Sequence, residues 1–117
     1  MVEYSGETIE LAEGTLECSA PIKEVLDIDG NDVLVLLETT GKYDKYDKDT
    51  RCRNLWRVGP DGSVRWKIRK GEIINEDYPS FSSVWTEDGS FWAYSTNGLA
   101  YKINLETGEL GETRQMK

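Results

Sequence analysis

Apolar residues recur at every second position along most of this chain, and Gly, Asp and Asn punctuate them every eight to twelve residues. A period of two puts alternate side chains on opposite faces of an extended backbone, so the pattern predicts many short antiparallel strands. Ile9 and Leu11 alternate with Thr8, Glu10 and Ala12, and Leu16 and Cys18 return the chain after Glu13-Gly14, which predicts a hairpin over residues 8–19. Residues 22–28 and 33–38 flank the turn Asp29-Gly30-Asn31-Asp32. Val33 to Leu37 is apolar on both faces, so this strand is expected to be central and covered on both sides. Residues 53–68, RNLWRVGPDGSVRWKI, place two alternating segments around Pro60-Asp61-Gly62. Asp88-Gly89, Asn97-Gly98 and Thr107-Gly108 mark later turns, Asn-Gly being a strong hairpin signal.

Two stretches break the alternation. Residues 39–51, TTGKYDKYDKDTR, read as a long exposed hairpin tip whose Asp44, Asp47 and Asp49 are solvated among lysines. Residues 71–81, with Tyr78, Pro79 and Phe81, read as a linker.

The chain also repeats itself. IDGNDVLVL followed by NLWRVGPDGSVRW matches EDGSFWAYS followed by GLAYKINLETGEL, each reading as strand, DG turn, strand, connection, strand, x-x-G turn, strand. The first unit spans 22–70 and the second 82–113, and the hairpin 8–19 belongs to neither. NLWRVGPDGSVRWKI resembles the third and fourth strands of a quinoprotein-type (PQQ-like) β-propeller blade, with Gly62 and Trp66 in the Gly-to-Trp spacing of that motif. AYKINLETGEL resembles its first part, with Glu112 where the Trp would stand. The resemblance implies two blade-like units. Propellers close with about four to eight blades, so two are expected to pack as a sandwich, and bound pyrroloquinoline quinone is not implied. The expected fold is therefore all-β, a single domain over residues 1–117, built as an antiparallel meander of about ten short strands. Glu109, Glu112 and Arg114 protect one edge by charge and the N-terminal hairpin packs against the repeats, which predicts a monomer or at most a dimer.

Composition narrows the chemistry. At 117 residues the chain suits one domain burying roughly 65% of its unfolded surface. Its longest aliphatic run is far short of the ~20 residues that span a bilayer, so no membrane contact is expected. The opening MVEYSGETIE has no basic or apolar leader character. Cys18 and Cys52 lie outside any C-x-x-C motif and read as small buried thiols of a cytoplasmic protein, a disulfide being the alternative. The chain has no histidine, which excludes Ser-His and Cys-His nucleophiles. It has no P-loop, G-x-G-x-x-G or G-x-S-x-G. Asp27, Asp29, Asn31 and Asp32 miss the calcium-loop spacing because Gly30 stands at position 4, and they read as a turn. No metal, cofactor or enzymatic activity is expected.

Charge singles out one surface. The chain carries a net charge of −8, yet residues 51–70 hold seven cations against Asp61 alone. With Val58 opposite Val64, even spacing puts Trp56 opposite Trp66 and Asn54 opposite Ile68 on an apolar face. The other face then opposes Arg57 to Arg65, Leu55 to Lys67 and Arg53 to Arg69. Like charges directly opposed destabilise a strand pair, so the hairpin needs an anionic counterpart, either carboxylates of its own fold or a partner. The expected function is a non-enzymatic interaction domain in which Arg53, Arg57, Arg65, Lys67 and Arg69 contact an acidic or anionic protein surface, with neutralisation of Arg57 and Arg65 relieving repulsion. Nucleic acid is a weaker candidate, because the remaining −14 repels phosphate and the tryptophans face the core. Two alternatives remain: an acidic inhibitor or immunity-type protein using Glu10, Glu13 and Glu17 against a basic partner, and a carbohydrate-binding protein stacking sugars on Trp85, Trp92, Tyr94 and Tyr101.

Overall fold

A computed structural model describes residues 2–28, 31–39, 45–68, 80–96 and 98–115. The N-terminal sheet contains β1 (Glu3–Ser5), β2 (Thr8–Glu10) and β3 (Thr15–Glu17). The middle sheet contains β4 (Ile22–Asp27), β5 (Val33–Leu37), β6 (Leu55–Val58) and β7 (Val64–Lys67). The third contains β8 (Phe81–Glu87), β9 (Ser90–Ser95), β10 (Leu99–Ile103) and β11 (Leu110–Gln115). The fold is all-β, and in each sheet every strand lies beside its neighbours in sequence and pairs antiparallel with them.

The central strand explains the layering. All five residues of β5 are buried. Val33, Val35 and Leu37 enter one core with Ile9, Cys18, Ile22, Trp56 and Val58, beneath the N-terminal sheet. Leu34 and Leu36 enter a second core with Leu55, Ile68, Phe81, Ala93, Tyr101 and Ile103, beneath the third sheet. A strand apolar on both faces needs cover on both, and the result is a stack of three sheets. Asp88 and Gly89, at φ of 52° and 79°, close β8 onto β9 through a two-residue turn whose positive φ values suit the right-handed strand twist.

Polar groups tie the layers together. Asn54 is fully buried. Its Nδ2 donates to the carbonyls of Leu37 and Phe81 at 2.8 Å each, and its Oδ1 accepts the Phe81 N–H at 3.0 Å. The side-chain amide thus pairs with Phe81 as a neighbouring peptide would, joining the middle sheet to the first residue of the third. Lys23 adds a bond from β4 to the Ser82 carbonyl at 2.6 Å.

The polar excursion departs from expectation. Residues 40–44, with Asp44, lie outside the described residues, as do 69–79, which hold most of the expected linker. The remainder of the excursion ends in a short helix, α1 (Lys48–Cys52). Asp47 starts it, its Oδ1 accepting the Thr50 N–H at 2.9 Å in the manner of an N-cap.

Replacing Asn54 by Ala strips partners from buried backbone groups of Leu37 and Phe81. Since an unsatisfied buried group costs about 1–3 kcal/mol, the expected loss is about 3 kcal/mol, read as a lower urea midpoint at unchanged m-value.

Candidate functional site: the basic hairpin and its buried carboxylate

The β6–β7 hairpin starts as its spacing predicts. Gly59 N–H donates to the Ser63 carbonyl, Gly62 takes the left-handed conformation at φ 91°, and Val58 lies opposite Val64. Beyond that pair the even register fails. Arg57 lies opposite Trp66 and Trp56 opposite Lys67, so β7 carries one extra residue at Arg65. The expected pairs Trp56–Trp66, Arg57–Arg65 and Leu55–Lys67 are therefore corrected, and the N–H of Ile68 bonds the Leu55 carbonyl.

Tertiary contacts account for the bulge. It turns Trp66 away from Trp56 toward the third sheet. There the indole Nε1 donates to the Leu105 carbonyl at 2.7 Å, and the ring lies against Gly108, where a Cβ would come within 2.6 Å of it. Gly108 sits at φ 78°, a conformation open to glycine, in the β10–β11 turn. Lys67 passes to the opposite face, its ammonium 4.3 Å from the centre of the Trp56 ring.

The bulge also brings the two arginines onto one carboxylate. Arg57 Nε and Arg65 Nε both donate to Asp32 Oδ2, at 2.7 and 3.3 Å. Arg57 Nη1 donates in addition to the Leu105 carbonyl at 2.8 Å, so that oxygen accepts two bonds from the middle sheet. Asp32 is 5% exposed. Burial raises its carboxyl, but the hydrogen bonds and charges of Arg57 and Arg65 outweigh this and hold it below the usual carboxylate range. A cavity of about 280 Å³ on this side of the fold is lined by Asp27, Asn31 and Asp32 among apolar side chains.

The five predicted site residues do not share one role. Arg57 and Arg65 meet at Asp32. Arg53 donates to the carbonyls of Ile68 and Lys67 on the facing strand. Lys67 stacks on Trp56, and Arg69 lies outside the described residues. Asp32 is the site residue that the sequence reading missed, having been placed in a turn. Its signal lay in strand order: once Val33 pairs with Val58, residue 32 falls beside the start of the β6–β7 turn.

Elsewhere, Glu10 and Glu17 are exposed on the N-terminal sheet, where Glu3 directly opposes Glu10. Glu13 is exposed as well, and its N–H donates to the Pro60 carbonyl. Trp85 lies opposite Trp92 on the third sheet, but the Arg114 guanidinium covers Trp92 at 4.1 Å and bonds Glu87 at 3.0 Å. Tyr101 is buried in the inner core, edge-on to Phe81, so the four aromatic candidates form no single platform. Cys18 and Cys52 are buried and form no disulfide, and burial, followed by the nearby Glu7, pushes the Cys18 thiol up to about 11. No group of three or more potential metal ligands occurs among the described residues, and none of their helices is long and apolar enough to cross a membrane.

Fold and site together define a small all-β protein of three stacked antiparallel sheets, with an arginine pair seated on a buried carboxylate. The chain belongs to the family described as domain of unknown function DUF7957, whose model matches residues 1–115. No curated protein matches it.

Arg57→Ala removes a charged bond to Asp32 and a bond across the seam. It is expected to cost about 2 kcal/mol, whereas Arg65→Ala at the half-exposed position costs under about 1 kcal/mol. This reverses the expectation that neutralising the pair relieves repulsion, and chemical denaturation of both variants checks it. The depressed carboxyl of Asp32 contributes stability fully above its unfolded value of about 3.9, and that contribution is lost as pH falls through the lower folded value. Wild type is therefore expected to be more stable than Asp32→Asn at neutral pH, with the gap closing below about pH 4.

Proposed function

We propose that this chain is a non-enzymatic interaction domain that binds an acidic protein surface through the β6–β7 hairpin, as a monomer or dimer in the cytoplasm. One observation carries the reading: Arg57 and Arg65 share a single carboxylate oxygen, so the pair keeps a net positive charge on a chain of net charge −8. At physiological ionic strength charges more than about 8 Å apart are largely screened, so a partner docked on the hairpin meets chiefly the local surplus. Such complementarity acts mainly on association rate and partner choice. Two buried cysteines outside any disulfide suit a reducing compartment.

A second reading, an inhibitor-like protein facing a basic partner, draws on the N-terminal sheet. Residues 2–17 hold five glutamates and no cation, and Glu3 stands directly across from Glu10.

One experiment separates the two. Wild type, Arg65→Gln/Lys67→Gln and Glu3→Gln/Glu10→Gln are used to capture proteins from an extract of the source cells at about 50 and 500 mM salt, well apart in screening, with identification by mass spectrometry. The hairpin reading expects an acidic partner held by wild type at low salt and lost from the arginine–lysine variant. Equal capture by that variant overturns it, and a basic partner lost only from the glutamate variant transfers the function to the acidic sheet.

A further inference from the structure

Arg65 differs from the other cations of the hairpin. Its Nε is held by Asp32, while Nη1 and Nη2 have no hydrogen-bond partner among the described residues. Its side chain is 47% exposed against 23% for Arg57, whose Nη1 is engaged by Leu105. Its guanidinium lies flat on Gly59: a Cβ there would stand 2.5 Å from Nη2, 2.7 Å from Cζ and 2.9 Å from Nε. An arginine fixed at Nε and along one face has already lost much of its rotamer freedom, and its open end remains a planar fork of donors matched to two oxygens.

Resting on the hairpin reading above, we propose that Arg65 is the anchor of the site and binds one carboxylate side chain of the acidic partner end-on through Nη1 and Nη2, with Gly59 as its seat and Asp32 as the positioning residue. Charge selects the ligand. Two guanidinium groups over one carboxylate leave a single positive charge, which the exposed Asp61, bonded to the Ser63 N–H, offsets only through screening solvent. A monoanionic Asp or Glu side chain balances that single charge, whereas a phosphate dianion exceeds it. The glycine is required because the guanidinium occupies the space of any larger residue. The contact is with the far end of a flexible side chain, so Gly59→Ala displaces the fork and leaves the fold intact.

The test is titration of a synthetic hexaglutamate peptide at low salt, followed by calorimetry and by the Arg65 Nε–H resonance. Wild type is expected to bind, with that resonance shifting on titration. Gly59→Ala and Arg65→Lys, which keeps the charge but not the fork, are each expected to weaken binding by at least about fivefold while lowering the melting temperature by no more than a few degrees. Lys67→Gln is expected to weaken it less. If Gly59→Ala and Arg65→Lys bind as wild type does while Arg65→Gln/Lys67→Gln does not, the hairpin reading stands and the anchor is overturned. If wild type does not bind the peptide at all, both are overturned.

Discussion

Between Val58 and Arg57 the β6 ladder advances one residue while β7 advances two, and every later side chain of β7 changes face. Trp66 leaves the core beneath the N-terminal sheet and enters the seam with the third sheet. Lys67 takes its place over Trp56, and Ile68 joins Leu55 in the second core. The extra residue is Arg65, which stands beside Arg57 on Asp32 instead of across from it. Packing between layers and electrostatics of the hairpin thus follow from the same displacement. An evenly paired hairpin would have set like charges directly across from one another and left no indole for the third sheet.

The middle sheet bears this arrangement because it is held from both sides. Its central strand has no polar face, so each neighbouring sheet supplies apolar cover. Within its interior, buried Asn54 joins the layers through Phe81. The seam has polar fastenings at both ends, at Asn54 and at the Leu105 carbonyl, with apolar packing between. The guanidinium of Arg57 belongs to this fastening as much as to the charged surface, which distinguishes it from Arg65.

Much of the fold was legible in the sequence, because local rules govern it. Alternation set the strands, the Asp-Gly pairs set the turns, and the run Val33 to Leu37 announced a strand buried on both faces. The cap of α1 was present in Asp47, but a polar loop of mixed charge hid it. The bulge had no local mark. Val64, Arg65 and Trp66 alternate cleanly, and only the position of Leu105 and Gly108, some forty residues on, decides which way Trp66 turns. The role of Asp32 depends likewise on strand order. The sequence therefore showed where the positive charge gathers, while the structure shows which arginine is engaged across the seam and which retains an open fork.

The order of the strands has a further consequence, for the path of folding. Every ladder joins segments adjacent along the chain, so each sheet can form from local contacts. The fastenings between the second and third layers span 27 to 59 positions, and the loop closure they require makes them the costlier step. From loop-closure cost alone, the leaves are expected to form before the seam, and the seam is expected to be where the native state opens first, uncovering Trp66 and Tyr101.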